Sequence, residues 1–380
     1  MSNLEDYQWM IRYLKMLDQT NAKILEGLGK HGPRNTLALA KSIELPPKTV
    51  SFRIKKLMKE GLLKIRANLD YTKLGLMKAI LIAESKPGQE KKLHKVIGNL
   101  DYWTYMVRCY GKYDGYYTIF AFPAEYKKEL AEYLDKAMQL KAFSRYIFYP
   151  ITNIAEVVPN FDWFDFQSKS WDFQWKRWVD EVQNASEKLP RKLVEPKTYS
   201  VRVDETDIFV LKELEKNGAI KFTKLAEVAN ITPQGVGYRF HKHIIGRNLL
   251  TDYAVAILPY PLPTSDMCSF IIDFENEGKL ARFVNSLQNK PFIINYGKVI
   301  GQHSLIVHTY TPKTQFSRLM DSINHLAEKK LAKSFLYVSL DVASFRRQTI
   351  SYEFFKGNKW TYDFKKKLEA LKNVCLQVDE

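Results

Sequence analysis

Apolar positions along this chain follow two periods, and the two take turns. In "TNAKILEGLGKHG", Ile24, Leu25 and Leu28 share one helical face, and Gly32 ends the run. "NTLALAKSIEL" starts at Asn35, a residue suited to an N-cap, and directs Leu37, Leu39, Ala40 and Ile43 inward. In "LPPKTVSFRIKKLMKEG" (45–61), Pro46 and Pro47 suit a first helical turn. Val50, Ile54 and Leu57 lie there at i, i+4 and i+7, and Gly61 closes the helix. The extended stretch "LLKIRANLDY" follows. Short helices, a third helix and an extended wing predict a winged helix-turn-helix.

The pattern then switches to strands divided by helices. "LMKAILIAES" predicts a strand, "GQEKKLHKVIGNL" a helix, and "YWTYMVRCY" and "GYYTIFAF" two strands around a Gly111–Gly115 turn. "AEYKKELAEYLDKAMQL" predicts a helix, and "FSRYIFYPITNIAEVV" a last strand. The order β-α-β-β-α-β is that of a split βαβ, or ferredoxin-like, domain.

The same series occurs twice. A shift of 186 positions lays Asp18, Thr20, Leu25, Leu28, Lys30 and Gly32 on Asp204, Thr206, Leu211, Leu214, Lys216 and Gly218. Further on, Leu39, Ala40, Pro47, Val50, Arg53 and Leu63 meet Leu225, Ala226, Pro233, Val236, Arg239 and Leu249. The same shift puts "YGKYDG" (110–115) on "YGKVIG" (296–301), so the chain is a tandem duplication. The expected class is α+β. A winged helix-turn-helix spans 1–70, a ferredoxin-like domain 71–158, and a Trp-rich helical connector 159–200. A second winged helix-turn-helix spans 201–258, a second ferredoxin-like domain 259–346, and a helical tail 347–380. The connector holds four of the seven tryptophans. Trp171, Trp175 and Trp178 at i, i+4 and i+7 predict one helical face that docks on a sheet or on the other copy. Trp360 stands 189 positions after Trp171, so the connector belongs to the repeat as well.

Composition changes the picture mainly through charge. The 380 residues are 46% hydrophobic, enough for several packed cores. The formal net charge is +16, which points to a polyanionic partner. Nothing reaches the roughly 18 consecutive apolar residues of a membrane span, and the N-terminal stretch lacks a secretory pattern. Cys109, Cys268 and Cys375 are isolated and form no disulfide or metal spacing, which fits a cytoplasmic location.

The helix-turn-helix blocks "DQTNAKILEGL" and "TLALAKSIELPPKTVSFRIKKL", joined by a wing to a βαββαβ domain with a "YGKYDG" turn, resemble the Lrp/AsnC (feast/famine) transcription regulators. The resemblance covers both copies. It implies double-stranded DNA as partner, transcriptional control, and pairing of the two sheets as an intramolecular pseudo-dimer, with a homodimer as an extension. It also implies a small-molecule effector between the ferredoxin-like domains, with Asp114 at the acidic turn position. The second copy departs from this pattern, carrying Ile300 there.

The charge pattern points to DNA independently of any family. Between Lys48 and Arg66 stand seven Lys or Arg and one acid, Glu60. A single-sign face is what phosphate neutralisation needs, whereas a solvated helix usually mixes signs. At the N-terminal end of the helix, Lys48, Thr49, Ser51 and Phe52 are the base-reading candidates, Phe52 through thymine methyls. Lys55, Lys56, Lys59 and Arg53 are assigned to phosphates or to holding the fold, and Lys64 and Arg66 to the wing. In the second copy the outward positions are Gln234, Gly235, Gly237, Tyr238, His241 and Lys242. Gln pairs with adenine and Tyr with phosphate or methyl groups, but the cation density is low. Two non-identical heads favour an asymmetric promoter site.

Motifs for catalysis are absent: there is no P-loop, no GxGxxG after a strand, no GxSxG and no HExxH. His241 and His243 point to different sides of a helix, so no metal is expected, nor any cofactor. Two alternatives to a regulator remain. A tetrapyrrole decarboxylase branch shares the overall fold, with His303 and His308 as the histidines such chemistry would use. A protein-interaction module recruiting the basal transcription machinery, with a degenerate second head, is the other.

Overall fold

A computed structural model describes residues 3–376. Each copy contains the expected βαββαβ unit. In the first, strands Leu76–Glu84, Trp103–Gly111, Gly115–Pro123 and Arg145–Ile151 enclose helices Glu90–Gly98 and Lys127–Gln139. In the second, strands Ser265–Asp273, Ile293–Lys298, Ser304–Pro312 and Ser334–Leu340 enclose helices Glu277–Ser286 and Phe316–Glu328. Both units order their strands fourth, first, third, second, the ferredoxin-like order.

The two sheets fuse. The second strand of copy one pairs with the fourth strand of copy two, Ser339 opposite Tyr110. The chain leaving Ile151 crosses to the far edge, where Glu156 pairs with Asn295 and Ala155 with Tyr296. Three of the four half-sheet edges are thereby paired, which limits the hazard of exposed strand edges, and Arg145–Ile151 stays at the end of the fused sheet. Ile80, Ile82, Val107 and Tyr117 of copy one meet Ile271, Ile306, Val338 and Leu340 of copy two in one apolar cluster. This double coverage, helices on one face and the other sheet on the opposite face, explains why Leu76–Glu84 is buried almost throughout rather than alternating. The pseudo-dimer is therefore formed within one chain.

The connector and tail cross over. Helix Trp175–Asn184 follows copy one but packs on the two helices of copy two. Trp178 is 1% exposed and its indole N–H donates to Ser286 Oγ at 3.2 Å. Helix Phe364–Leu376 follows copy two and packs on the two helices of copy one, where Asn99 Nδ2 donates to the Lys367 carbonyl at 2.9 Å. Each copy thus clasps the other. One expectation is corrected here: Trp171 lies in a short hairpin, Phe164–Asp165 with Ser170–Trp171, and the helix begins only at Trp175. Trp171 packs on Phe164 and Tyr260 instead of continuing the Trp175–Trp178 face.

In the first winged domain, helices Gln19–His31, Thr36–Ser42 and Pro47–Lys59 form as the periodicity predicts. Asn35 caps the second by accepting from the Ala38 N–H at 3.2 Å. Val50 and Leu57 are fully buried and Ile54 nearly so. A preceding helix, Asn3–Met16, was not foreseen; it seals this core through Tyr13, with Leu17 just past its end. Leu37 overturns its expectation: it is 72% exposed, because the second helix needs only Leu39 and Ala40 against its neighbours.

The extended wing finds its partner in the other copy. Strand Lys64–Leu69 pairs antiparallel with Leu250–Ala256 of the other copy, Arg66 opposite Ala254. The two heads are joined by this ribbon. Tyr253 of the ribbon lies against both Gly32 and Gly218, where a Cβ would come within 2.8 Å of its ring. Gly32 also has φ +69°, so two independent constraints require glycine there.

Candidate nucleic-acid interface

The third helix of each head is positioned by the same ion-paired device. In the first, Arg53 Nη1 lies 2.7 Å from Asp18 Oδ2 and donates to Asn21 Oδ1 at 3.1 Å. Asp18 also caps the first helix by accepting from the Asn21 N–H. Burial pushes the Asp18 carboxyl up, and the Arg53 guanidinium and Asn21 N–H outweigh that and hold it below its usual range. In the second head, Arg239 Nη1 bridges Asp204 and Asp207 at 2.8 and 2.7 Å, 186 positions later. Arg53 is thus committed to the fold, which decides between its two expected roles.

With Arg53 turned inward, the outward face of Pro47–Lys59 is formed by exposed Lys48, Phe52, Lys55, Lys56 and Lys59, with Thr49 and Ser51 half-buried beside them. Phe52 is 66% exposed, an unusual state for a large aromatic. Thr36, Leu37, Pro47, Lys48, Ser51, Phe52 and Lys55 line one open groove. Lys64, at the start of the ribbon, is exposed as well.

Arg66 is not part of this face, a correction to its expected phosphate role. Its side chain is directed into a polar junction beneath the ribbon, beside Arg347, Glu156 and Glu215, and burial pushes its pKa down to about 10. Glu215 accepts from the Tyr71 hydroxyl and, at 2.8 Å, from the Ile350 N–H. Lys78 lies 4.2 Å from the centre of the Tyr71 ring, with burial lowering its pKa to about 8. This junction was not foreseen. Its one sequence signal is a lone lysine inside the apolar run "LMKAILIAES".

The second head carries a different third helix. Residues Pro233–Tyr238 are α-helical, and Arg239–Ile245 widen into a π-helix. Gln234, Tyr238, His241 and Lys242 are exposed, and Gly235 and Gly237 half-buried. His243 turns inward and its Nδ1 lies 3.0 Å from both oxygens of Asp207. Asp204, Asp207 and His243 converge closely enough to suggest a cation site. Arg239 already neutralises both carboxylates there, so the group serves as the head's internal clamp.

The heads also touch directly. Arg34 Nη2 donates to the Ile220 carbonyl at 2.8 Å, and its guanidinium lies 4.7 and 4.8 Å from the Phe222 and Phe240 ring centres. This residue was not singled out in the sequence; only its place at the end of a short loop, before an N-cap, marks it.

Residues 17–64 match the family of winged helix-turn-helix DNA-binding domains. An uncharacterised HTH-type transcriptional regulator of Pyrococcus furiosus is 40% identical over 63 residues, 16% of this chain and 42% of that protein. The match therefore spans less than half the length of this curated relative. The siroheme decarboxylase NirDL superposes over 94% of this chain and 99% of its own, with a TM-score of 0.55 and 9% identity, so the two share a fold. Escherichia coli AsnC aligns over 39% of this chain and 98% of its own at 15% identity, with a TM-score of 0.29. The winged heads and paired ferredoxin-like domains implied by the Lrp/AsnC resemblance are the architecture present.

The remaining candidates lie elsewhere. Asp114 is at the expected turn, largely exposed, and ion-paired with Arg108 Nη2 at 3.0 Å. His303 is exposed just before strand Ser304–Pro312, while His308 is buried between the two sheets. Its Nδ1 donates to Asn295 Oδ1 at 2.5 Å, and its Nε2 accepts from the Tyr117 hydroxyl at 2.9 Å. Burial alone pushes its pKa down to about 4. The two histidines are not brought together. Among the described residues no helix is long and apolar enough to cross a membrane.

Proposed function

We propose that this protein is a sequence-specific, double-stranded-DNA-binding transcription regulator with two non-identical reading heads. The observation that carries this reading is the single-sign, exposed face of Pro47–Lys59 in a domain of the winged helix-turn-helix family. Lys48, Thr49, Ser51 and Phe52 read base edges from the N-terminal half of the helix. Lys55, Lys56, Lys59 and Lys64 contact phosphates. The second head contributes Gln234, Gly235, Gly237, Tyr238, His241 and Lys242, with fewer charges and a widened helix, so its share of the affinity is smaller. Because the ribbon and Arg34 tie the heads together, both sit on one duplex in a set relation, and the preferred site is asymmetric. Occupancy near a promoter then blocks or recruits the transcription machinery.

Selection of bound sequences from random duplexes, with the footprint measured, tests this. An asymmetric site longer than one head covers supports it. A palindrome, or no enrichment, overturns the two-head or the DNA reading respectively.

A second reading is favoured by the fold similarity, over nearly the whole chain, to the siroheme decarboxylase NirDL. Of its two candidate histidines, His303 is exposed and His308 is enclosed and bonded at both nitrogens. Titrating the protein with an iron tetrapyrrole separates the readings: a saturable shift of the visible spectrum favours the enzyme, and an unchanged spectrum removes it.

A further inference from the structure

Leu37 and Phe52 come from different helices, yet both are left largely bare, 72% and 66% exposed. They line the same open groove, and the other side chains around it are Thr36, Pro47, Lys48, Ser51 and Lys55. A protein rarely leaves two large apolar side chains together in water without a use for them. The cations on the rim state the sign of the occupant: a polyanion. An apolar floor inside a cationic rim matches one feature of a DNA major groove, the C5-methyl of thymine, which only that base presents.

We infer that Leu37 and Phe52 together form a thymine-methyl reader in the first head, with Leu37 an additional specificity-determining residue. The inference rests on the DNA-binding reading above and deepens it. The flanking lysines seat the backbone, and the two apolar groups then close on a methyl that cytosine lacks. The second head lacks this device. At the equivalent positions, 186 residues later, stand Thr223 in place of Leu37 and Tyr238 in place of Phe52. His241 and Gln234 replace Lys55 and Lys48 there. The paired apolar reader is therefore confined to the half-site under the first head, which gives the asymmetry of the site a chemical basis.

The test uses the full chain and the best duplex from random selection. Each thymine is replaced in turn by deoxyuridine, which differs only by the missing methyl. Replacement at one or two positions under the first head is expected to weaken binding about fourfold each, the equivalent of one methyl group returned to water. Replacements under the second head are expected to change little. The Leu37→Ala and Phe52→Ala variants should bind the thymine and uracil duplexes alike. The inference is overturned if no replacement affects the wild-type chain, or if both variants keep the wild-type ratio. It is also overturned if Leu37→Ala dissolves a self-associated form in sedimentation while leaving the ratio intact, since the groove would then receive a second copy. Failure to select any duplex is a separate result, which overturns the regulator reading itself.

Discussion

Replacing Lys55, Lys56 and Lys59 together by alanine isolates the electrostatic part of DNA binding. All three are exposed on the C-terminal half of the third helix, and none forms an ion pair among the described residues. The inward stripe of Val50, Ile54 and Leu57 is untouched, and alanine is a strong helix former, so the head should stay folded. Each phosphate contact contributes about 0.9 to the slope of log K against log salt, so three contribute about 2.7. Between 50 and 200 mM salt, a fourfold change, the wild type should lose about forty times more affinity than the variant. Fluorescence anisotropy of a labelled duplex at several salt concentrations measures the slopes, and a thermal melt confirms the fold. Equal slopes would refute the assignment of these lysines to phosphates. Arg53→Ala is the internal control. Its guanidinium is held by Asp18 and Asn21, so it should leave the slope unchanged.

Three other outcomes follow from particular contacts. Arg53→Ala should cost about 1 kcal/mol of stability, a partly exposed pair plus one hydrogen bond, seen as a lower melting temperature. Gly32→Ala should cost roughly 1–3 kcal/mol, from its positive φ and the Tyr253 ring, and a Tyr253→Ala background should recover the steric share. His308 is neutral in the folded chain down to about pH 4, whereas unfolded histidine binds a proton near pH 6.5. Its contribution is therefore intact above pH 6.5 and lost as pH falls toward 4, up to roughly 3 kcal/mol. Urea midpoints for His308→Gln should be less pH-dependent over that window, and an undiminished dependence would place the titration elsewhere.

The periodicities were enough to locate both winged heads and both βαββαβ units, because each element buries a continuous face that its own spacing records. The charge excess at 48–66 was equally legible, since cations need only be exposed to act. What spacing misassigned depends on partners far along the chain. Leu37 has the right period to be buried, but no neighbour comes to cover it. Arg53 was open to phosphates or to the fold until Asp18 and Asn21, 35 and 32 residues earlier in the same domain, were brought to it. Trp171 kept helical spacing with Trp175, yet a hairpin intervened.

The duplication itself, and with it the presence of two heads of unequal charge, was determined by the sequence alone. Repeats and net charge are properties of residue order and need no contacts. Tertiary structure decided how the copies are joined: the fused sheet, the crossed helices, and the wing strands paired into a ribbon. It also decided that Arg66 is withdrawn from the lysine-bearing face of the third helix, because strand pairing rather than local pattern sets which face a ribbon residue occupies. Local spacing tells which side chains lie together on one element. Which element then covers that face depends on residues nearly two hundred positions away, and only the folded chain brings them into contact.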